Sequence, residues 1–277
     1  AGNPATDSQR NNAPAPPLDQ PCNGVVMSHD KLTVIGSYLS PYVRKVLAVL
    51  EIKGLTYEID SVVPFYGNDA FAKLSPIRRI PVLIDGDVCL TDSSVICQYL
   101  EDKYPTPSLY PADIVRRAQA RWLEEFADTR MGEVFIWHLF NQVAIKPAVW
   151  GEKANNDILQ KALQEEIPSI LEYLESQIPA EGFLFGDLSI ADISIASFFR
   201  NAAFARFEVD RARWPLTAGF VQRVLSLPCF EKLAPFENKL ARTPIAEHRN
   251  ALLAIGAPVT AETYANQSPQ RGVMKTE

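Results

Sequence analysis

The chain has 277 residues, 47% hydrophobic and 22% charged, with a formal net charge of -6. Length and apolar share predict a globular chain of one or two domains with a sizeable core. The acidic balance argues against a nucleic-acid partner, no apolar run reaches the roughly 18 residues of a membrane span, and the four scattered cysteines and three distant histidines offer no metal-ligand spacing.

Residues 1–30 are rich in Pro, Asn, Gln and Ala, which predicts a disordered N-terminal extension. From Lys31 to Tyr104, short β-like runs alternate with helical ones: KLTVIGS, PYVRKVLAVLEIKG, TYEIDSV, a loop, IPVLIDGDVCLT and DSSVICQYLEDKY. That order reads β-α-β, an irregular stretch, β-turn-β and α, a compact sheet with helices packed on it. Val43, Val46, Leu47 and Leu50 share one face at helical spacing, and Asp-Gly-Asp between Ile84 and Val88 signals a tight turn. Residues 105–113, PTPSLYPAD, break the pattern as a linker. From 114 to 256, apolar residues recur every three or four positions, the grammar of a helix bundle, and the polar stretch 257–277 is expected to be a loose tail.

Four motifs bear on function. In YLSPYVRKV, Ser40 and Pro41 are a helix N-cap and N1 pair, and the same helix start favours an anion through unpaired N–H groups and the helix dipole. In RRIPVL, Pro81 is either a cis proline or a trans proline opening an edge strand. In TDSSVICQYL, Asp92 and Ser93 are either an ordinary cap or an acid and a hydroxyl set to hold a charged group. In GDLSIADISIASFF, Ser189 and Asp192 form an S-x-x-D capping box, assigned to folding. Phe65, Tyr66, Trp137, Phe140 and Trp150 are core or ligand wall, and His138 is a helix residue of the same ambiguity.

Together these motifs resemble the cytosolic glutathione transferase superfamily over roughly Lys31 to Ala254. The resemblance implies an α/β plus all-α fold: a thioredoxin-like N-terminal domain, residues 31–104, then an all-helical domain, residues 114–256. It implies a cytoplasmic homodimer that takes glutathione as co-substrate, with no metal, and joins it to a hydrophobic electrophile. Ser40 stands where the Ser- and Cys-type classes carry their catalytic residue, as donor to the glutathione thiolate. Ser37, Tyr38 and Tyr42 are neighbouring hydroxyls that could take its place. Ile80-Pro81 would be cis, with the Ile80 backbone pairing with glutathione's cysteinyl main chain. Asp92 would take the α-ammonium and Ser93 the α-carboxylate, although Asp replaces the family's Glu and shortens the reach. Arg79 would hold the glycyl carboxylate, with Arg78 beside it as the other possibility. Tyr38, Phe65, Tyr66, Trp137 and Phe140 would line the second-substrate cleft.

Serine in place of cysteine argues against thiol-disulfide chemistry, and Cys89 and Cys97 read as structural. Lyase, isomerase or dehalogenase chemistry, or a non-enzymatic glutathione-binding module, are alternatives on the same scaffold.

Overall fold

The computed structural model describes residues 31–272; the predicted extension at 1–30 and residues 273–277 lie outside the described residues. The N-terminal part runs β1 (Leu32–Gly36), α1 (Pro41–Ile52), β2 (Tyr57–Ser61), a 3-10 turn (Pro64–Tyr66), α2 (Asp69–Leu74), β3 (Val82–Asp85), β4 (Val88–Thr91) and α3 (Ser93–Lys103). The sheet order is β2-β1-β3-β4. β1 and β2 are parallel because α1 carries the chain across between them, while β1–β3 and β3–β4 are antiparallel. Asp85 pairs with Val88, so Gly86 and Asp87 make the turn, and Gly86 at φ 57° supplies its left-handed residue. All five residues of central β1 are buried, whereas edge strand β4 is only partly covered.

The second part is helical: α4 (Ile114–Phe126), continuing as a π-wound helix (Ala127–Trp150), α5 (Asn156–Lys161), a short π-wound piece (Ala162–Glu166), α6 (Ile167–Gln177), α7 (Ile190–Phe204), α8 (Pro215–Leu225), α9 (Pro228–Leu240) and α10 (His248–Ala254). α7 is buried continuously from Ile190 to Phe199 as the central helix, although Asp192, Ser194 and Ser197 lie within that stretch. No helix among the described residues is long and apolar enough to cross a membrane.

Two results differ from the sequence expectations. α1 is covered on every side: Val43 to Leu50 are all buried, Arg44 and Lys45 included. The sheet lies against one side, and helices α3, α7 and α9 pack against the others. Such buried cations need partners. Arg44 donates to Glu237, to Ser197 O and Asn201 Oδ1 at 2.7 Å each, and to Tyr38 O at 3.2 Å. Lys45 Nζ lies 2.9 Å from Glu124 Oε1 and 2.5 Å from Asp128 Oδ2. Adjacent residues of one helix thereby bind it to the helical part in two directions.

The second difference is the tail, which is not loose over residues 257–272. Ile59 N–H donates to Pro258 O at 2.8 Å and Thr260 N–H to Ile59 O at 3.1 Å, so the tail adds a short parallel bridge to β2. Farther along, Asn68 N–H donates to Tyr264 O at 2.9 Å, Asn266 N–H to Tyr66 O at 2.5 Å, and Gln270 N–H to Phe65 O at 2.7 Å. Buried Asp60 accepts Tyr264 N–H at 2.6 Å. Arg249 donates to the carbonyls of Thr260, Ala261 and Glu262. The polar composition concealed this because the binding uses main-chain groups, which every sequence has.

Candidate functional site

The candidate site gathers at the N-terminus of α1. Ser40 is the N-cap, with extended backbone and Pro41 at the next position. Its Oγ accepts the Val43 N–H at a long 3.4 Å, and Ser40 itself is partly exposed. A hydroxyl that accepts one bond still has its own proton to donate. Pro41 has no N–H and the Arg44 N–H bonds Ser40 O at 2.9 Å, so the Tyr42 N–H is the first-turn donor left over, and the positive end of the helix points the same way. The neighbouring Ser37 is buried, and its hydroxyl accepts from Leu39 N–H at 3.3 Å.

Gly36, at the end of β1, explains how the next segment comes close. A Cβ there would lie 2.4 Å from Val43 Cγ2 and 3.4 Å from Ile80 Cβ, so a glycine lets the start of α1 and the Ile80 loop approach. The Ile80-Pro81 peptide bond is cis. Just before it, Ser75, which is fully buried, clamps Arg79: its hydroxyl donates to Arg79 O at 2.8 Å and accepts Arg79 N–H at 3.0 Å.

The two arginines have different fates. Arg78 adopts φ 50° and is held on the far side of α2 and by the tail, donating to Gly67 O at 3.1 Å and to Gln270 Oε1 at 3.4 Å. Arg79 is exposed. Its charge, like that of Asp92, reaches the Tyr42 phenol two residues beyond Ser40. Burial is what chiefly pushes that phenol's pKa up; Asp128 and Asp92 push the same way, and Lys45 and Arg79 oppose them.

Asp92 caps α3, with Oδ1 accepting Ser94 N–H at 2.9 Å and Val95 N–H at 3.2 Å. Its φ of 77° lies in the left-handed region, a conformation that costs a non-glycine residue on the order of 1–3 kcal/mol and that clusters at ligand sites. Both cap bonds use Oδ1, and the Asp92 side chain is exposed to solvent. Ser93, next to it, is buried.

Beneath this turn sits a network not foreseen from the motifs. Lys45 Nζ donates to Ser94 Oγ at 3.0 Å, and that hydroxyl donates to Asp128 Oδ2 at 2.9 Å. The Tyr42 hydroxyl donates to Asp128 O at 2.8 Å. Burial pushes the Asp128 carboxyl up, and Lys45 opposes it; burial likewise works against the Lys45 ammonium, but Asp128 and Glu124 outweigh it. The network fixes the Asp92–Ser93 turn to α1. Its sequence signal was two adjacent cations, Arg44 and Lys45, inside an otherwise apolar helix.

The aromatic residues divide. Phe65, Tyr66 and Val149 form a cluster of their own, with Trp137, Trp150 and Ile145 packed on it. Phe65 and Trp150 meet edge-on with centroids 5.4 Å apart. Tyr38 does not line a cleft: it is 1% exposed and stacks at 5.1 Å on Phe236 of α9, because the turn before α1 aims it into the core. Phe140 is buried too. His138 pairs through Nδ1 with Glu166 Oε2 at 2.7 Å, a link between helices. In the S-x-x-D motif, Ser189 N–H and Oγ–H both donate to Asp192 Oδ2, at 2.8 and 2.6 Å, closing the capping box.

Residues 34–108 match the family model described as glutathione S-transferase, N-terminal domain, and residues 136–228 the one described as glutathione S-transferase, C-terminal domain. The chain is 30% identical over 175 residues to glutathione S-transferase U8 of Arabidopsis thaliana, covering 61% of this chain and 70% of that protein. It is 29% identical over 212 residues to a probable maleylacetoacetate isomerase of Vibrio cholerae, covering 74% of this chain and 95% of that one. Among solved structures, it matches the glutathione transferase URE2P8 from Phanerochaete chrysosporium with oxidized glutathione, at TM-score 0.67 and 25% identity, over 78% of this chain and all (100%) of that one.

Proposed function

Because the chain belongs to the glutathione S-transferase superfamily, we propose that it binds glutathione at the start of α1 and holds the sulfur as thiolate against Ser40 for attack on an apolar electrophile. The observation that carries this reading is the Ser40 hydroxyl, partly exposed at a helix N-terminus with its proton left to donate. The thiol proton leaves to solvent, and the thiolate accepts from Ser40 Oγ–H in the positive field of the helix end. Stabilising S⁻ by about 2–3 kcal/mol lowers a thiol pKa of about 8.5 by roughly two units, enough to make thiolate the main form at neutral pH. The sulfur lone pair then forms a C–S bond as the leaving group departs with its electron pair, or as the electrons of an activated double bond shift.

In this reading, Ile80 pairs with the cysteinyl main chain, Asp92 takes the α-ammonium, Ser93 the α-carboxylate and Arg79 the glycyl carboxylate. The engagement of Arg78 by Gly67 O and the tail residue Gln270 supports Arg79 as the free cation of the two. The half-buried rings of Trp137 and Trp150, packed on the buried Phe65 and Tyr66, are the apolar surface this reading gives the second substrate. Protein-thiol chemistry has less support: burial holds the Cys97 thiol well up and pushes Cys229 up to about 11, so neither is a nucleophile at neutral pH.

The similarity to the Vibrio cholerae isomerase supports a second reading with the same groups. The thiolate adds to a conjugated double bond, the new single bond rotates, and the sulfur is expelled. A mass measurement separates the two, since conjugation retains glutathione in the product and isomerisation returns it.

The test of Ser40 is a glutathione titration followed by ultraviolet difference spectroscopy. A thiolate band at neutral pH is expected in the wild type and its loss in Ser40→Ala; no band in the wild type sinks the reading. We also infer a homodimer, since Val95, Ile114, Val115 and Trp122 leave large apolar side chains exposed on α3 and α4, and sedimentation analysis would detect it.

A further inference from the structure

The stretch between β2 and β3 carries Arg79 and Ile80, yet has little of its own to hold it in place. α2 is six residues long with Phe71 its single buried side chain, and a helix of that length does not persist on propensity alone. What fixes the stretch is the tail. Gln270 and Asn266 N–H groups donate to Phe65 O and Tyr66 O, Asn68 N–H donates to Tyr264 O, and Gly67 and Ala265 form an antiparallel bridge. Arg78, at the far end of the stretch, donates to the Gln270 side chain. Tyr264 and Ala265 also pack on the cluster of Ile35, Val62, Val82 and Ile84 that buries Phe71.

The tail is tied down on both sides of this grip. Upstream, Asp60 accepts Tyr264 N–H, and Arg249 holds the carbonyls of residues 260–262 while lying 3.7 Å from Asp60 Oδ1. Downstream, Arg271 pairs with Glu152 Oε1 at 2.9 Å and sits 4.6 Å from the Trp150 ring centroid. From Phe71 a short relay leads to the site. Ser75 N–H donates to Phe71 O at 2.9 Å, the Ser75 hydroxyl bonds both main-chain groups of Arg79, and Ile80 follows.

We propose that residues 258–272 are a strap that holds Arg79 and Ile80 in place for glutathione, with Tyr264, Asn266 and Gln270 as positioning residues; the proposal rests on the reading of the site given above. The strap touches no group assigned to the sulfur, so it governs how tightly glutathione is held and not the ionisation of its thiol. The coupling is reciprocal, and bound glutathione tightens the strap in turn.

Two full-length variants test this. Tyr264→Ala removes packing on the Phe71 cluster, and the double variant Asn266→Pro/Gln270→Pro removes two main-chain donors. In a calorimetric titration at neutral pH, glutathione affinity falls about tenfold in each. The pH midpoint of the thiolate band at saturating glutathione stays at its wild-type value, because the start of α1 is untouched. Hydrogen exchange quickens at the Phe71 and Ser75 N–H groups while β1 and β3 keep their protection, and glutathione slows exchange at Asn266 and Gln270 in the wild type. Where Tyr264→Ala fails to fold, the proline variant, at two partly exposed positions, decides alone.

Wild-type affinity in the folded variants, a shifted thiolate midpoint, or exchange that rises equally in β1 and β3 each overturns the strap. A wild type that binds glutathione without a thiolate band overturns the role of Ser40, and the affinity of the variants still decides on the strap. A wild type that binds no glutathione overturns both.

Discussion

Helices α1 and α7 both begin at a serine, and their starts end in opposite states. At α7 the motif's side chains are matched: Ser189 gives both its N–H and its hydroxyl proton to Asp192 Oδ2, and Asp192 Oδ1 accepts Leu184 N–H at 2.9 Å, with Ser189 and Asp192 both buried. At α1, Ser40 accepts one long bond and remains partly exposed. A helix start with its hydrogen bonds closed contributes to stability and has nothing to offer a ligand. One with donors left over sacrifices some stability and gains a place for an anion. Four residues into α1 the helix is sealed again, where Arg44 meets Glu237.

The contrast can be strained at several points. Glu237→Ala leaves Arg44 charged and fully buried without its carboxylate, and a loss of about 3–5 kcal/mol in urea unfolding is expected. The double variant Arg44→Met/Glu237→Leu should recover most of it; a single variant that costs nothing would mean the body of α1 is less sealed than its contacts indicate. Asp192→Ala opens the closed start and orphans three donors, for an expected loss of about 2–3 kcal/mol. Ser40→Ala at the open start should cost only about 0.5–1 kcal/mol of stability while abolishing the thiolate band. If Ser40→Ala destabilises as much as Asp192→Ala, the hydroxyl is a structural cap and the distinction between the two starts fails.

The smallest effect concerns a third start, that of α8, where Glu175 accepts Leu216 N–H and Thr217 N–H at 2.8 Å each and the Thr217 hydroxyl at 2.7 Å. Partial burial raises its pKa, but these bonds outweigh burial and hold the carboxyl below the usual range. A depressed folded-state pKa gives stability that is complete above the ordinary carboxylate range and is lost as pH falls through the depressed value. Glu175→Gln should therefore lower stability by about 0.5–1 kcal/mol at pH 7, with the difference from wild type in thermal unfolding fading in strong acid.

Much of the fold was legible because it rests on local periodicity. The β-α-β order, the Asp-Gly-Asp hairpin and the long helical run each carry a signal within a dozen residues. At the site, Ser40, Ile80-Pro81 and Asp92-Ser93 were visible as motifs, but nothing local distinguished cap from ligand group. What escaped was long-range. The partners of Lys45, Glu124 and Asp128, are about eighty residues away, and a salt-bridged lysine inside a helix looks the same in sequence as one on its surface. Tyr38 was misjudged for the same reason, since its direction is set by the turn before α1 and its packing by Phe236.

The bridge between residues 258–260 and Ile59 has a further consequence. A sheet's outer strand presents unsatisfied main-chain groups on which a foreign strand can grow, and proteins that leave it bare risk edge-to-edge assembly. Here the chain returns after some two hundred residues to cover part of β2 with its own backbone. The tail thus doubles as a guard against polymerisation, and the last part of the chain shields one of the first strands.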